Sequence, residues 1–109
     1  MANPLVIGLV EDNPGDARLI QEMLREPPVA PFRVDWASRL DEALARLERE
    51  SFDVLLLDLG LPDSQGLATF QDVYARSPKI PIIICSGAAD EELAVEAVAH
   101  GAQDYLVKG

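Results

Sequence analysis

Apolar residues follow two different patterns along this chain. Unbroken apolar runs lie within Leu5–Val10, 52–58 and 81–85, and such runs are typical of strands covered on both faces, as in a parallel sheet. Residues Phe32–Ala37 alternate between apolar and polar, which predicts a more exposed strand at an edge of the sheet. A short fifth strand is predicted at 104–108.

Between these runs, apolar residues recur at the spacing of amphipathic helices. Asn13 is a good N-cap and Pro14 suits the first helical position. Asp90, Glu91 and Glu92 place negative charge at the positive end of the last helix. The four predicted helices run from Pro14 to about Glu26, from after Ser38 to about Glu50, from Leu67 to before Ser77, and from Asp90 to before Gly101.

Five strands therefore alternate with four helices. This alternation predicts an α/β domain with a parallel sheet, right-handed crossovers and helices on both faces. The 109 residues suffice for one such domain and are too few for two. No linker or repeat interrupts the pattern, so residues 1–109 are interpreted as one domain.

Charge and composition narrow the functional classes. The net charge of −10, from 19 acidic and 9 basic residues, argues against direct contact with nucleic acid or anionic membrane. No apolar run approaches the roughly 20 residues that span a bilayer, and the start of the chain lacks the pattern of a signal peptide. The single cysteine, Cys85, excludes an internal disulfide. Together these features predict a cytoplasmic protein.

Polar residues stand at the ends of four predicted strands, and the carboxyl ends of parallel strands meet at one edge of the sheet. We therefore expect three carboxylates, one hydroxyl and one ammonium in a single cleft: Glu11, Asp12, Asp58, Ser86 and Lys108.

Such a cleft has a definite chemistry. Three clustered carboxylates repel one another unless a cation is present, and hard oxygen ligands in an open site suit Mg²⁺. A carboxylate is also a nucleophile toward phosphorus. Lys108 and Ser86 are suited to neutralise the oxygens of a transferring phosphoryl group. Asp58, which ends the central strand, is the predicted phosphoryl acceptor.

Each of these residues also has a simpler explanation. The carboxylate of Asp58 alone suits a loop cap, and Glu11 and Asp12 suit the positive end of the first helix. Lys108 suits a solvated terminal lysine, and Ser86 a turn. Asp63, in a Pro-Asp pair, is interpreted as a turn residue and left out of the site.

Four segments, 9–13, 56–66, 84–87 and 101–108, together resemble the receiver domain of two-component response regulators. The resemblance implies a flavodoxin-like sheet with strand order 2-1-3-4-5. It implies Asp58 as phosphoacceptor, with Lys108 and Ser86 completing the catalytic set, and Ser86 and Tyr105 as the switch pair. The implied Mg²⁺ ligands are Glu11 (through water), Asp12, Asp58 and the carbonyl of Gly60.

The resemblance also implies partners and a type of activity. The phosphoryl donor is expected to be a histidine kinase or a histidine phosphotransfer protein, and phosphorylation is expected to switch a partner-binding surface. The domain would phosphorylate and dephosphorylate itself rather than act as a multiple-turnover enzyme. The alternative is an interaction module of the same fold that works without phosphorylation.

Two departures from the family pattern carry expectations of their own. Gly109 follows Lys108 where the family usually has proline. The family's fifth helix is absent from these 109 residues, so we expect an uncovered apolar patch on one sheet face and self-association through it.

Two other classes fit less well. A phosphatase with an aspartyl nucleophile needs a second carboxylate two residues further on, and Gly60 occupies that position. A dinucleotide-binding domain needs a G-x-G-x-x-G motif, which residues 8–15 lack.

Overall fold

The structure is a computed structural model that describes residues 4–25 and 31–108. The strands are β1 (Leu5–Val10), β2 (Phe32–Ala37), β3 (Val54–Leu57), β4 (Gly60–Leu61), β5 (Ser64–Gln65), β6 (Ile82–Ser86) and β7 (Asp104–Val107). The helices are α1 (Pro14–Leu24), α2 (Leu40–Arg49), α3 (Leu67–Arg76) and α4 (Glu91–Ala99), with a 3-10 turn at Ala88–Asp90 before α4.

The main sheet has five parallel strands in the order β2-β1-β3-β6-β7. Counted along the chain without the short β4 and β5, this is the predicted order 2-1-3-4-5. The alternating strand β2 lies at an edge, as its pattern predicted, and the unbroken apolar strand β3 lies at the centre.

The central strand is shorter than predicted, covering Val54–Leu57 rather than 52–58. Asp58 still donates its backbone N–H to the carbonyl of Val10 at 3.0 Å. Its side-chain Oδ1 then accepts the N–H of Gly60 at 2.8 Å, which turns the chain away from the sheet. The strand therefore ends one residue before the carboxylate that the cleft needs.

Residues 60–65, which lie between the predicted third strand and third helix, form a small antiparallel hairpin of β4 and β5. Leu61 is buried within it, and Pro62 and Asp63 form its turn. Two-residue strands are too short for periodicity to reveal.

Helix α1 ends at Leu24, and the predicted end near Glu26 lies outside the described residues, as do Pro27, Pro28 and Gly109.

The two faces of the sheet are covered unequally. Helices α2, α3 and α4 pack on one face, where Leu57 and Ile84 of the sheet and Phe70 of α3 are each fully buried. The other face carries α1 alone among the described residues, over a smaller buried cluster that includes Leu9 and Leu56. Since one helix covers less of a five-stranded sheet than three do, part of this second face stays open.

The open part is a groove of about 590 Å³, lined by the exposed Leu19 and Met23 of α1, by Leu56, Ile83 and Leu106 of the sheet, and by further residues at its margin. Within residues 4–25 and 31–108, nothing covers it. The predicted uncovered apolar patch is therefore present, and self-association through it stays a prediction.

No helix in the described part of the chain is both long enough and apolar enough to cross a membrane.

Candidate functional site

The predicted cleft forms at the carboxyl edge of the main sheet. Glu11 directly follows β1, Asp58 follows β3, Ser86 ends β6 and Lys108 follows β7. Carboxylate oxygens of Glu11, Asp12 and Asp58 all lie within 4.8 Å of one another. The parallel topology thus brings together residues that are far apart in sequence.

Lys108 lies at the centre of this cleft with its side chain 15% exposed. Its Nζ donates to Asp58 Oδ2 at 2.8 Å, to Asp16 Oδ2 at 3.1 Å and to Glu11 Oε2 at 3.2 Å. Its backbone N–H donates to the carbonyl of Ser86 at 2.7 Å, which fixes the start of the side chain. Burial disfavours the ammonium, but the hydrogen bonds to Asp58 and Asp16 outweigh burial and raise the pKa of Lys108.

Glu11 and Asp58 share one environment, but their pKa values are shifted in opposite directions. Burial, together with hydrogen bonding and repulsion from Asp58, raises the pKa of Glu11 to about 8 despite the nearby ammonium of Lys108. Burial also acts on Asp58, but hydrogen bonds from Glu11, Lys108 and the N–H of Gly60 overcome it and lower the pKa of Asp58. The pair therefore holds Asp58 as the carboxylate.

Edge strand β2 holds the backbone of Glu11 in place. The N–H of Glu11 donates to the carbonyl of Ala37 at 3.0 Å, and the carbonyl of Glu11 accepts the indole Nε1–H of Trp36 at 2.7 Å. The sequence does not reveal this link between Trp36 and the cleft, because no pattern encodes a side-chain bond to a backbone group 25 residues away.

Ser86 lies with Asp58 and Gly60 in the lining of a cavity of about 270 Å³. Its side chain is buried, and among the described residues its Oγ is the only buried side-chain polar atom without a hydrogen-bond partner. Buried hydroxyls normally have a partner, and an orphaned one costs roughly 1–3 kcal/mol. The hydroxyl is thus available to an acceptor that enters the cavity beside Asp58.

Gly60 and Tyr105, the two residues that the resemblance alone supplied, have different positions. Gly60 lines the cavity and contacts Asp58 through its N–H, and its carbonyl as a metal ligand stays a prediction. Tyr105 lies on the α4 side of β7, where its hydroxyl donates to Glu91 Oε2 at 2.8 Å. This hydrogen bond and the charge of Glu91 raise the pKa of Tyr105. Tyr105 is therefore tied to α4 and does not reach into the cleft.

Two further acidic residues have roles that the sequence did not reveal. Asp16, in the first turn of α1, contacts Lys108, and no sequence pattern had marked it as a site residue. Asp63 is more than a turn residue, because its two oxygens accept the N–H groups of Leu40 and Asp41 at 2.8 and 2.9 Å and cap α2. These bonds lower the pKa of Asp63.

Cys85 has no part in the cleft. It is buried among apolar residues, and burial raises the pKa of its thiol to about 12.

The donor set at the cleft fits Mg²⁺. Glu11, Asp12 and Asp58 offer hard carboxylate oxygens, Asp12 is exposed to solvent, and the cluster carries more negative than positive charge. Mg²⁺ favours such open sites, where it keeps several waters. These three side chains are therefore the ones that would hold the ion.

Comparison with known proteins agrees with this geometry. A family model of the response regulator receiver domain matches residues 7–109. Over 100 residues, or 92% of this chain, the sequence is 34% identical to the transcriptional regulatory protein ZraR of Salmonella typhimurium and 31% identical to the C4-dicarboxylate transport transcriptional regulatory protein DctD of Rhizobium meliloti. The chain spans only about a fifth of those proteins, 22% and 21% respectively.

Solved structures give the same result. The receiver domain of sensor histidine kinase PA1611 from Pseudomonas aeruginosa, which has a magnesium ion in its active site cleft, superposes with a TM-score of 0.78 at 32% identity, covering 97% of this chain and 86% of that one. The phosphorylated cyanobacterial phytochrome response regulator RcpA gives a TM-score of 0.82 at 29% identity, covering 98% and 82%. The chain belongs to the response regulator receiver domain family of two-component signalling.

Proposed function

We propose that this domain accepts a phosphoryl group on Asp58 from the phosphohistidine of a histidine kinase or histidine phosphotransfer protein, in a Mg²⁺-dependent reaction. The observation that carries the proposal is the arrangement around one carboxylate. Asp58 contacts the ammonium of Lys108 at 2.8 Å and shares a cavity with the unpartnered hydroxyl of Ser86. Nucleophile, cation and hydroxyl donor are thus present together.

The reaction joins an oxygen of Asp58 to phosphorus and breaks the bond between phosphorus and the histidine nitrogen, which keeps the electron pair. The lowered pKa of Asp58 keeps it ionised and ready to attack. Lys108 neutralises charge on the phosphoryl oxygens, and Ser86 donates a hydrogen bond to one of them. Held by Glu11, Asp12, Asp58 and the carbonyl of Gly60, Mg²⁺ would supply further charge neutralisation.

The PA1611 receiver domain, with its magnesium ion, and the phosphorylated RcpA support this proposal by likeness.

The proposal includes a change of binding surface. We infer that phosphorylation draws Ser86 toward the phosphoryl group and releases Tyr105 from Glu91, so that Tyr105 moves inward. The surface of α4 and β7 would then differ between the two states. If NMR shifts of α4 and β7 stay the same after addition of beryllofluoride and Mg²⁺, this part of the proposal fails.

The proposal also covers the setting of the domain. We place the domain in the cytoplasm, as its membership of the receiver family suggests. We propose no direct contact with nucleic acid, because the net charge is −10. Under this proposal, the output of the whole protein depends on partner proteins or on other segments of its chain. Gly60, at the position of a second carboxylate in aspartyl phosphatases, supports a self-modifying domain over a multiple-turnover enzyme.

The decisive experiment is chemical labelling with acetyl phosphate. The protein is incubated with Mg²⁺, and intact-mass spectrometry measures the fraction that gains one phosphoryl group. We expect labelling of the natural chain, none of Asp58→Asn, and none of the natural chain in EDTA. Asp72→Asn, which removes an exposed carboxylate from α3, is the matched control and should label normally.

Equal labelling of Asp58→Asn and the natural chain would refute the assignment of Asp58. A correctly folded protein that takes no label, yet binds a histidine kinase, would favour the phosphorylation-independent interaction module.

A further inference from the structure

Three carboxylates surround the ammonium of Lys108, and one of them lies outside the metal cluster. Glu11 and Asp58 belong to the acidic cluster that would hold Mg²⁺. Asp16 comes from α1, and its Oδ2 lies 3.1 Å from Lys108 Nζ with the Asp16 side chain 39% exposed. This third contact has no role in the proposed chemistry.

The start of α1 holds Asp16 in position. Pro14 occupies the first turn of α1, and the side chain of Asn13 caps the helix by accepting the backbone N–H of Asp16 at 3.1 Å. A carboxylate in the first helical turn is also favoured by the helix dipole. The backbone that carries this carboxylate is therefore fixed independently of Lys108.

Lys108 needs a partner of this kind. A lysine side chain has a long flexible stem, and its rotamer entropy must be lost when its ammonium is held in one place. In the proposed reaction, Asp58 becomes phosphorylated, and Glu11 would help to hold the metal. Of the three carboxylates that contact Lys108, only Asp16 takes no part in the proposed chemistry, so its contact with the ammonium can persist throughout.

We propose that Asp16 is a positioning residue that holds the ammonium of Lys108 in the cleft beside Asp58 while the phosphoryl group is transferred. This inference rests on the proposed function. Asp16 acts through Lys108 and contacts neither metal nor phosphoryl group. Its carboxylate fixes where the cation lies, so its loss should slow transfer without removing the metal site.

The first measurement needs no phosphoryl donor. The chain contains two lysines, Lys79 and Lys108, and Lys79 is exposed. Brief acetylation with an N-hydroxysuccinimide ester, followed by peptide mass spectrometry, gives the labelling ratio of Lys108 to Lys79. We expect a low ratio in the natural chain and a several-fold rise in Asp16→Ala, with Asp16→Asn between the two because its amide oxygen still accepts a hydrogen bond.

The second measurement is the rate of labelling by acetyl phosphate. At saturating Mg²⁺, we expect about a tenfold loss in the maximal rate for Asp16→Ala, as is common when a catalytic group loses its orientation. The dissociation constant for Mg²⁺ should stay within about twofold, since Asp16 is not one of the clustered ligands. Glu22→Gln, which removes an exposed carboxylate of the same helix, should leave both measurements unchanged.

Three outcomes would overturn the inference: an unchanged lysine ratio in folded Asp16→Ala, a changed ratio with an unchanged rate, or a faster rate, which would make Asp16 a competitor for Lys108. Thermal unfolding checks that each variant is folded. If the natural chain takes no label from acetyl phosphate, the proposed function fails, while the lysine ratio still decides whether Asp16 holds Lys108.

Discussion

The indole Nε1–H of Trp36 donates a 2.7 Å hydrogen bond to the backbone carbonyl of Glu11. Trp36 is the only tryptophan of the chain, and the residue is 38% exposed. A fluorescent ring on the edge strand is therefore hydrogen-bonded to the backbone of a residue whose carboxylate belongs to the acidic cluster.

We predict that Mg²⁺ changes the fluorescence of Trp36 in a saturable way, because ion binding at Glu11 and Asp12 alters the charge and backbone position next to the indole. The measurement is a titration at constant ionic strength, with NaCl as the salt control. Asp12→Asn should weaken the response at least several-fold. A response of the same size in Asp12→Asn would show that the ion binds elsewhere.

The raised pKa of Glu11 predicts how the stability of the metal-free protein depends on pH. Its pKa is about 8 in the folded chain against 4.5 for an unperturbed glutamate, so between these values the folded state binds more protons than the unfolded state. Stability should therefore fall as pH rises from about 5 to about 8. Because each pH unit within this window corresponds to about 1.4 kcal/mol, we expect a loss on the order of 4 kcal/mol.

Urea unfolding in EDTA across this pH range measures the effect. Glu11→Gln cannot ionise at this position, so its stability should change less with pH than that of the natural chain. Asp58, whose pKa is lowered, titrates below this window and does not contribute to the difference. Parallel pH profiles for the two proteins would contradict the assignment of the raised pKa to Glu11.

Removal of the Asp63 carboxylate should destabilise the fold. Asp63→Ala leaves the N–H groups of Leu40 and Asp41 without their acceptor, and the loss of a helix cap typically costs about 1–2 kcal/mol. Asp63→Asn retains one side-chain oxygen and should cost less. The free energy of unfolding in urea gives the values, and Asp72→Asn serves as the exposed control. A neutral Asp63→Ala would mean that solvent caps α2 equally well.

The groove beside α1 predicts concentration-dependent self-association of the 109-residue chain. Its exposed margin includes Met23, which is 61% exposed, and an open apolar groove of this size favours burial against a second copy. Sedimentation velocity over a range of concentrations should show association for the natural chain and at least several-fold weaker association for Met23→Glu. Val95→Glu adds the same charge at an exposed apolar position on α4 and should leave the association intact.

Much of the fold followed from periodicity alone. The unbroken apolar run that ends at Asp58 predicted a central strand, and the alternation of Phe32–Ala37 predicted an edge strand, since burial on one or two faces sets these patterns. The proximity of Asp58, Ser86 and Lys108 followed from the sheet topology, because parallel strands all end at the same edge of the sheet. These inferences needed only the order of elements.

The contacts that were missed depend on side-chain direction across elements. Asp16 and Lys108 are 92 residues apart, and a first-turn carboxylate has the same pattern whether it faces solvent or an ammonium. Asp63 matched a turn residue equally well whether its carboxylate capped a distant helix or not. Tertiary geometry decides such cases, and no local pattern encodes it.

The cap that Asp63 provides has a consequence for backbone exchange. The capped amides of Leu40 and Asp41 belong to the first turn of α2, while Asp63 lies in the hairpin that follows Asp58. Opening of that hairpin must release both amides. Their hydrogen–deuterium exchange rates therefore report, from a helix outside the cleft, how often the segment next to Asp58 opens.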